Sequence, residues 1–255
     1  QLRKHLSPAD ASAHSAAKVA LDEERRRALG SLGYLSGAGR TEASRDLGKL
    51  PDPRGMTDVL QALERATELV REGRCAEALP RLDEVLRRSP SALPALLMSG
   101  RCARAVGDVD GALERYRRAR SLAPRDAAAR TGEADCLARL GQREAAAIAF
   151  REAIALEPAG SEAPLGLAQL LSGSGDLPRA REVLAAAVAA GCRNPAVLRE
   201  RGILAEAQGD LAGAEAAFAA AARRNPTDPE LLERTAAVIL LRGRPGEAAL
   251  VYERL

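Results

Sequence analysis

Residues 107–150 read GDVDGALERYRRARSLAPRDAAARTGEADCLARLGQREAAAIAF, a stretch that holds one repeated unit and the start of the next. Glycine recurs every 34 residues, at Gly73, Gly107, Gly141, Gly175, Gly209 and Gly243. An alanine follows each glycine by five residues, and a bulky apolar residue comes four positions after that alanine, at Leu82, Tyr116, Phe150, Leu184, Phe218 and Tyr252. A fixed period of this length indicates stacked helical hairpins.

Each recurring residue has a predicted structural role. The glycine is expected to end the first helix of a hairpin in a left-handed conformation, where a Cβ would be strained. Asp108, Asp176 and Asp210 follow their glycines and are predicted to cap the second helix. Proline at 90, 124, 158 and 226 is expected to end the second helix, and Cys192 stands where the fifth proline is missing. Small residues should let paired helices approach closely, at Ala66, Gly100, Ala134, Ala168, Gly202 and Ala236.

Composition agrees with an all-α fold. Of 255 residues 46% are hydrophobic but only 2% aromatic, which disfavours a β-sandwich or barrel. The net charge of +3 predicts no strong attraction to nucleic acid or to an anionic membrane. No apolar run is long enough to span a bilayer. Four cysteines, at 75, 102, 136 and 192, form no C-x-x-C motif, and no cofactor or metal is predicted.

The 34-residue pattern resembles the tetratricopeptide repeat (TPR) and covers residues 59–255. The resemblance implies a right-handed α-solenoid whose units stack into a curved surface. The predicted units are 59–92, 93–126, 127–160, 161–194, 195–228 and a truncated 229–255.

Residues 1–58 lack the repeat. Residues 1–35 are predicted to form a leader with a helix and an apolar LGYL motif, and 36–58 to form a linker. One interpretation is a disordered leader. The other is a resemblance of ALDEERRRALGSLGYLSG (20–37) and LPDPRGM (50–56) to the carboxyl end of bacterial sulfatase-like hydrolases that carry TPR extensions. The chain begins with Gln, so we expect it to be part of a longer polypeptide.

No catalytic residue is predicted. His5 and His14 lie in the leader without obvious partners, and the sulfatase-like nucleophile motif, Cys or Ser followed by x-Pro-x-Arg, does not occur. The fragment itself is therefore expected not to be an enzyme, whereas the full-length protein is a sulfuric ester hydrolase if the second resemblance holds. That resemblance also implies export or a periplasmic location; otherwise a cytoplasmic location is expected.

Binding of a protein or peptide is the predicted function, because the TPR resemblance implies that first helices line a concave groove. The alternative is an accessory tail of a sulfatase-like hydrolase. The groove is predicted to be basic near its start and acidic near its end, and nucleic acid is not expected to bind. The oligomeric state is left open. The predicted partner-binding residues are Arg71, Leu97, Arg101, Arg104, Arg139, Leu165, Gln169, Arg199, Ile203, Glu206 and Glu233.

Overall fold

The structure, a computed structural model, describes residues 53–253. The predicted leader and LGYL motif at 1–35, and the linker up to residue 52, therefore lie outside the described residues. Within the described range there are twelve α-helices and no β-strand, as the repeat pattern predicts. The helices are α1 (Pro53–Arg71), α2 (Cys75–Arg88), α3 (Leu93–Ala105), α4 (Val109–Leu122), α5 (Ala127–Arg139), α6 (Arg143–Leu156), α7 (Glu162–Ser172), α8 (Leu177–Ala189), α9 (Pro195–Ala207), α10 (Leu211–Ala222), α11 (Pro229–Leu241) and α12 (Pro245–Tyr252).

Each odd-numbered helix pairs with the even-numbered helix that follows it, and the predicted glycine lies at the bend. All six glycines have φ between 74° and 91°. At Gly107 the amide of Asp108 donates to the carbonyl of Ala103 over 2.9 Å, which satisfies a carbonyl at the end of α3. The predicted role of the repeated glycine is confirmed, because this hydrogen bond requires a left-handed residue at the bend.

Aspartates cap the second helices as predicted. The Asp108 carboxylate accepts a hydrogen bond from the amide of Gly111 over 2.9 Å. Asp210 accepts from Gly213 over the same distance, and Asp176 accepts from Arg179 over 3.3 Å. Each cap occupies one of the amides that a helix leaves without an internal partner.

The turn between the fourth and fifth hairpins uses glycine in place of proline. Gly191 has φ 104° and follows Ala190, the residue that caps the end of α8. The amide of Cys192 donates to the carbonyl of Ala187 over 2.9 Å, in the same arrangement as at the bends within hairpins. A left-handed glycine therefore ends α8, and Cys192 itself is buried between the hairpins.

The bulky residue of each second helix fills the space between hairpins. Five of these side chains are at most 4% exposed, namely Leu82, Tyr116, Phe150, Leu184 and Phe218. The aromatic rings each rest on glycine: Phe218 on Gly202 of its own hairpin, and Tyr116 on Gly100 and also on Gly132 of the next. The equivalent Tyr252 is 42% exposed, since no hairpin in the described residues packs beyond α12.

One buried carboxylate interrupts this apolar packing. The Glu133 side chain on α5 is only 6% exposed. Its oxygens lie 3.4 Å from the Arg117 Nε and 3.2 Å from the Arg120 Nε, both on α4. Leu167 occupies the equivalent place one repeat later and is 2% exposed, so the position is compatible with an apolar side chain.

The first helices lie on the inside of the curve. Successive first helices contact each other from α1 through α9, whereas no comparable contacts join successive second helices in residues 75–252. Helices on the inner side of a curved stack are the ones that approach each other. The surface shared by α1, α3, α5, α7, α9 and α11 is called the groove below. Among the described helices none is both long and apolar enough to cross a membrane.

Candidate functional site

The predicted partner-binding residues all belong to first helices, so their backbones lie along the groove. In the first hairpin, Arg71 is the last residue of α1 and is exposed, with its guanidinium 3.5 Å from the Glu68 carboxylate. An exposed pair of this kind contributes little to stability and can exchange for a partner's carboxylate.

Asp135 joins two of the predicted arginines. Its Oδ2 atom lies 2.5 Å from Nη1 of Arg104 and 3.1 Å from Nε of Arg139. Burial alone would lower the pKa of Arg104, but its hydrogen bond to Asp135 and the attraction between the two charges together raise that pKa. Arg104 and Arg139 therefore neutralise an acid of the same groove, and the basic character near the start is weaker than the sequence predicts.

Arg101 is different, because it is exposed and makes no ion pair within residues 53–253. It lies beside a recess of about 200 Å³ between α3, α5 and α7. The recess is lined by Leu97, Met98, Arg101, Arg104, Tyr116, Ala128, Thr131, Gly132 and Glu162.

The floor of this recess depends on Gly132 and Tyr116. A Cβ at position 132 would collide with the Tyr116 ring, so glycine is what allows the ring to reach under α5. Burial raises the pKa of the Tyr116 hydroxyl to about 12, and the phenol is neutral at physiological pH. The recess thus combines an apolar wall and a neutral floor with the Arg101 cation on α3 and the Glu162 carboxylate on α7.

The middle of the groove is mostly apolar. Leu165 on α7 and Ile203 on α9 are partly buried against the clusters that hold neighbouring hairpins together. Gln169 lies between them along the chain and is exposed. These side chains offer apolar contact and one neutral hydrogen-bonding group.

The acidic end is partly neutralised. Arg199 lies 3.3 Å from Glu230, and Arg234 lies 3.1 Å from Glu230 and 3.9 Å from Glu206. Glu233 is exposed and has no ion pair within the described range. The charge that stays free here is smaller than the number of acidic residues suggests, but its sign is the predicted one.

Sequence reasoning missed Arg234 and the recess at Gly132. Arg234, Gly132 and Gly166 hold the same place in their repeats, one residue after Glu233, Thr131 and Leu165. Two glycines at one helical position were an available signal for close contact between hairpins.

The described residues contain no cluster of metal-ligating side chains. No three His, Cys, Asp or Glu side chains in this range lie close enough together to hold an ion. Cys102 and Cys136 are fully buried, and burial raises their pKa values to about 12 and about 11. A solenoid of helical hairpins is typically non-catalytic, which is consistent with the prediction that this chain has no enzyme activity.

Comparison with known proteins identifies the repeat. The sequence matches the tetratricopeptide repeat family at residues 63–113, 97–164, 165–229 and 200–255. No curated protein gives a significant match.

Several solved structures share the fold. A thermophilic TPR protein of Thermus thermophilus has 23% identity and a TM-score of 0.61, covering 71% of this chain and 99% of its own. PilF of Pseudomonas aeruginosa has 17% identity and a TM-score of 0.64, and the match covers 78% of this chain and 90% of PilF. PilW, a type IV pilus biogenesis factor, has 20% identity and a TM-score of 0.63, covering 80% and 93%. At these identities the likeness concerns the fold alone.

These comparisons lend no support to the sulfatase-like resemblance of the leader. The family matches together extend from residue 63 to residue 255, over more than half of the sequence. They agree with the six glycine bends and with the stacked hairpins of the structure. The chain belongs to the tetratricopeptide repeat family.

Proposed function

We propose that this chain is a non-catalytic protein-interaction scaffold that binds a peptide segment of a partner in its groove. The observation that carries the proposal is the recess beside Arg101. Its volume of about 200 Å³ lies below the roughly 300–1,000 Å³ of typical small-molecule sites. It suits a single side chain of a peptide better than a whole small-molecule ligand.

The lining of the recess defines the partner. Leu97 and Met98 supply an apolar wall that accommodates an aliphatic or aromatic anchor. Arg101 is the cation beside it that is free to pair with a carboxylate on the neighbouring residue of the peptide. We therefore expect a segment with one apolar anchor next to an acidic residue at this end.

The charge along the groove suggests an orientation. Arg101 is free near the start, and Glu233 is free near the end. A peptide with an acidic side chain near α3 and a basic side chain near α11 complements both. Such charges influence the association rate and the direction of binding more than the affinity, so binding should weaken with added salt.

The test uses Arg101→Glu, because Arg101 has no intramolecular ion pair to break within the described residues. Arg151→Glu is the matched control: Arg151 is also exposed, and it lies on the second helix α6. Peptides are selected from a random display library on the wild-type chain, and their affinities for both variants are measured by fluorescence anisotropy.

We expect the selected peptides to contain the acidic and apolar pair, to lose about tenfold or more in affinity for Arg101→Glu, and to keep their affinity for Arg151→Glu. Equal binding to wild type and Arg101→Glu would refute the assignment of the groove. Loss on Arg151→Glu alone would place the binding surface on the second helices.

The alternative function, an accessory tail of a sulfatase-like hydrolase, rests on the leader sequence 20–37 and on LPDPRGM at 50–56. Most of these residues lie outside the described range. The discriminating observation is the reading frame upstream of Gln1. A catalytic domain there, with a Cys or Ser followed by x-Pro-x-Arg, would support this function, and an unrelated upstream sequence would refute it.

A further inference from the structure

Two cysteines from different hairpins meet between α2 and α3. Cys75 is the first residue of α2, and Cys102 lies in the last turns of α3. Cys102 is fully buried, Cys75 is partly exposed, and both pack in the cluster that contains Ala78 and Leu82. Burial, and after it the neighbouring Cys75 thiol, raises the pKa of the Cys102 thiol, so the two side chains lie close together within this cluster.

The repeat explains why these two positions face each other. One repeat later, the equivalent places hold Val109 and Cys136, which also share a cluster. Two further equivalents also share clusters, Leu177 with Leu204 and Leu211 with Val238. The contact between Cys75 and Cys102 is thus the regular contact between a second helix and the next first helix.

The same register separates Cys102 from Cys136. Cys102 and Cys136 occupy equivalent places in adjacent repeats. In the structure the two residues belong to different clusters: Cys102 shares its cluster with Cys75, and Cys136 shares its cluster with Val109.

We propose that Cys75 and Cys102 form a disulfide under oxidation by a peroxide, and that this bond ties the first hairpin to the second. The Cys75 thiol loses its proton, and the resulting thiolate attacks a peroxide oxygen. The O–O bond breaks, the departing hydroxide takes up that proton, and a sulfenic acid and water result. The Cys102 sulfur then attacks the sulfenic sulfur while its proton passes to the departing hydroxyl group; the S–O bond breaks, and a second water leaves. Overall, two thiols and one hydrogen peroxide give one disulfide and two waters.

The environment of the two thiols determines the order of these steps. The raised pKa of Cys102 keeps it protonated, and its full burial keeps peroxide away from it. Cys75 is accessible and reacts first. Because Cys102 is its immediate neighbour, it is in place to resolve the sulfenic acid before further oxidation.

The test treats the full chain with hydrogen peroxide and digests it with trypsin without a reductant. Trypsin cleaves after Arg74, Arg81, Arg101 and Arg104, so the disulfide links residues 75–81 to residues 102–104. We expect this linked pair of peptides, a mass about 2 Da lower in the intact oxidised chain, and a higher melting temperature than in the reduced chain. None of these three changes should occur in Cys75→Ser or in Cys102→Ser.

Cys136→Ser is the matched control and should still form the linked pair. A Val109→Cys substitution in the Cys75→Ser background tests the register separately, since it should cross-link to Cys136. Over-oxidation of Cys75 without the linked pair, or a disulfide between Cys102 and Cys136, would overturn the proposal. Failure of the Val109→Cys variant to cross-link would overturn the argument from the repeat.

Discussion

Replacing Gly202 with alanine tests whether each aromatic ring of this solenoid needs a glycine beneath it. Gly202 lies inside α9 and is buried against the ring of Phe218, which is itself 0% exposed. A Cβ added at position 202 would lie 2.5 Å from Cε1 and 2.6 Å from Cδ1 of that ring. Carbon atoms in ordinary contact are about 3.5–4.0 Å apart, so the ring or the helix has to move by about 1 Å.

The expected cost follows from two opposing effects. Overpacking of a buried site costs about 1–3 kcal/mol, and we take the upper end because the ring is fully enclosed. Alanine in a helix interior gains about 1 kcal/mol over glycine. The net loss in the free energy of unfolding is about 2 kcal/mol, which for a domain of this size lowers the melting temperature by about 4–8 °C.

Urea denaturation followed by circular dichroism measures this loss. Gly246→Ala in α12 is the matched control, because no heavy atom lies within 4 Å of its added Cβ, and its stability should equal or slightly exceed that of wild type. If Gly202→Ala is as stable as Gly246→Ala, the reasoning is wrong.

The double variant Gly202→Ala, Phe218→Leu gives a second check. It reproduces the alanine and leucine that two other hairpins carry at the equivalent positions. In the first hairpin these residues are Ala66 and Leu82. Both residues of that pair are 0% exposed, so they already pack without a void large enough to admit water. We expect the double variant to lose about 1–2 kcal/mol less than the sum of the single variants. Strict additivity would contradict a direct contact between residues 202 and 218.

Three further predictions concern a bend, a cap and the buried carboxylate. Gly107→Ala should lower the free energy of unfolding, measured by urea denaturation, by about 1 kcal/mol. The loss comes from backbone strain alone, because φ is 91° and no heavy atom lies within 4 Å of the added Cβ; a variant as stable as wild type would contradict a left-handed bend. The hydrogen bond from the Gly213 amide lowers the pKa of the Asp210 carboxyl group, and the positive charge of Arg181 lowers it further. The ionised Asp210 therefore stabilises the folded chain fully above about pH 4, and this contribution is lost as the pH falls through the lower pKa of the folded state. The stability of Asp210→Ala should depend less on pH than that of wild type; an equal pH dependence in the two proteins would refute the capping role of the carboxylate. Glu133→Leu should leave the free energy of unfolding unchanged or raise it by about 1 kcal/mol. The reason is that Leu167 fills the equivalent site and that Arg117 and Arg120, which pair with Glu133, are exposed enough to be hydrated. A loss above about 3 kcal/mol would show that the ion pairs are needed for stability.

The hairpins could be predicted because their determinants are local. Gly107 and Asp108 end one helix and begin the next through hydrogen bonds that span at most five residues. Such contacts form wherever the sequence supplies a glycine and a capping side chain in order. Gly191 follows the same rule at a place where the expected proline is missing, so the sequence held that signal as well.

The candidate site could be predicted only in outline. The selected residues all lie on first helices, and their use in binding stays a prediction. Which of their charges are free could not be deduced, because Arg104 and Asp135 come from different hairpins and are 31 residues apart. The recess could not be deduced either, because it exists only where the Tyr116 ring reaches beneath Gly132 of the next hairpin.

The sequence by itself determined the number, order and bends of the helical hairpins, since the hydrogen bonds that end and begin helices act over a few residues. The tertiary structure alone decided how one hairpin is offset against the next. That offset depends on how side chains of two hairpins interlock, and it places Cys75 against Cys102, pairs Arg104 with Asp135 and leaves Arg101 free. No short stretch of sequence contains both sides of such a contact.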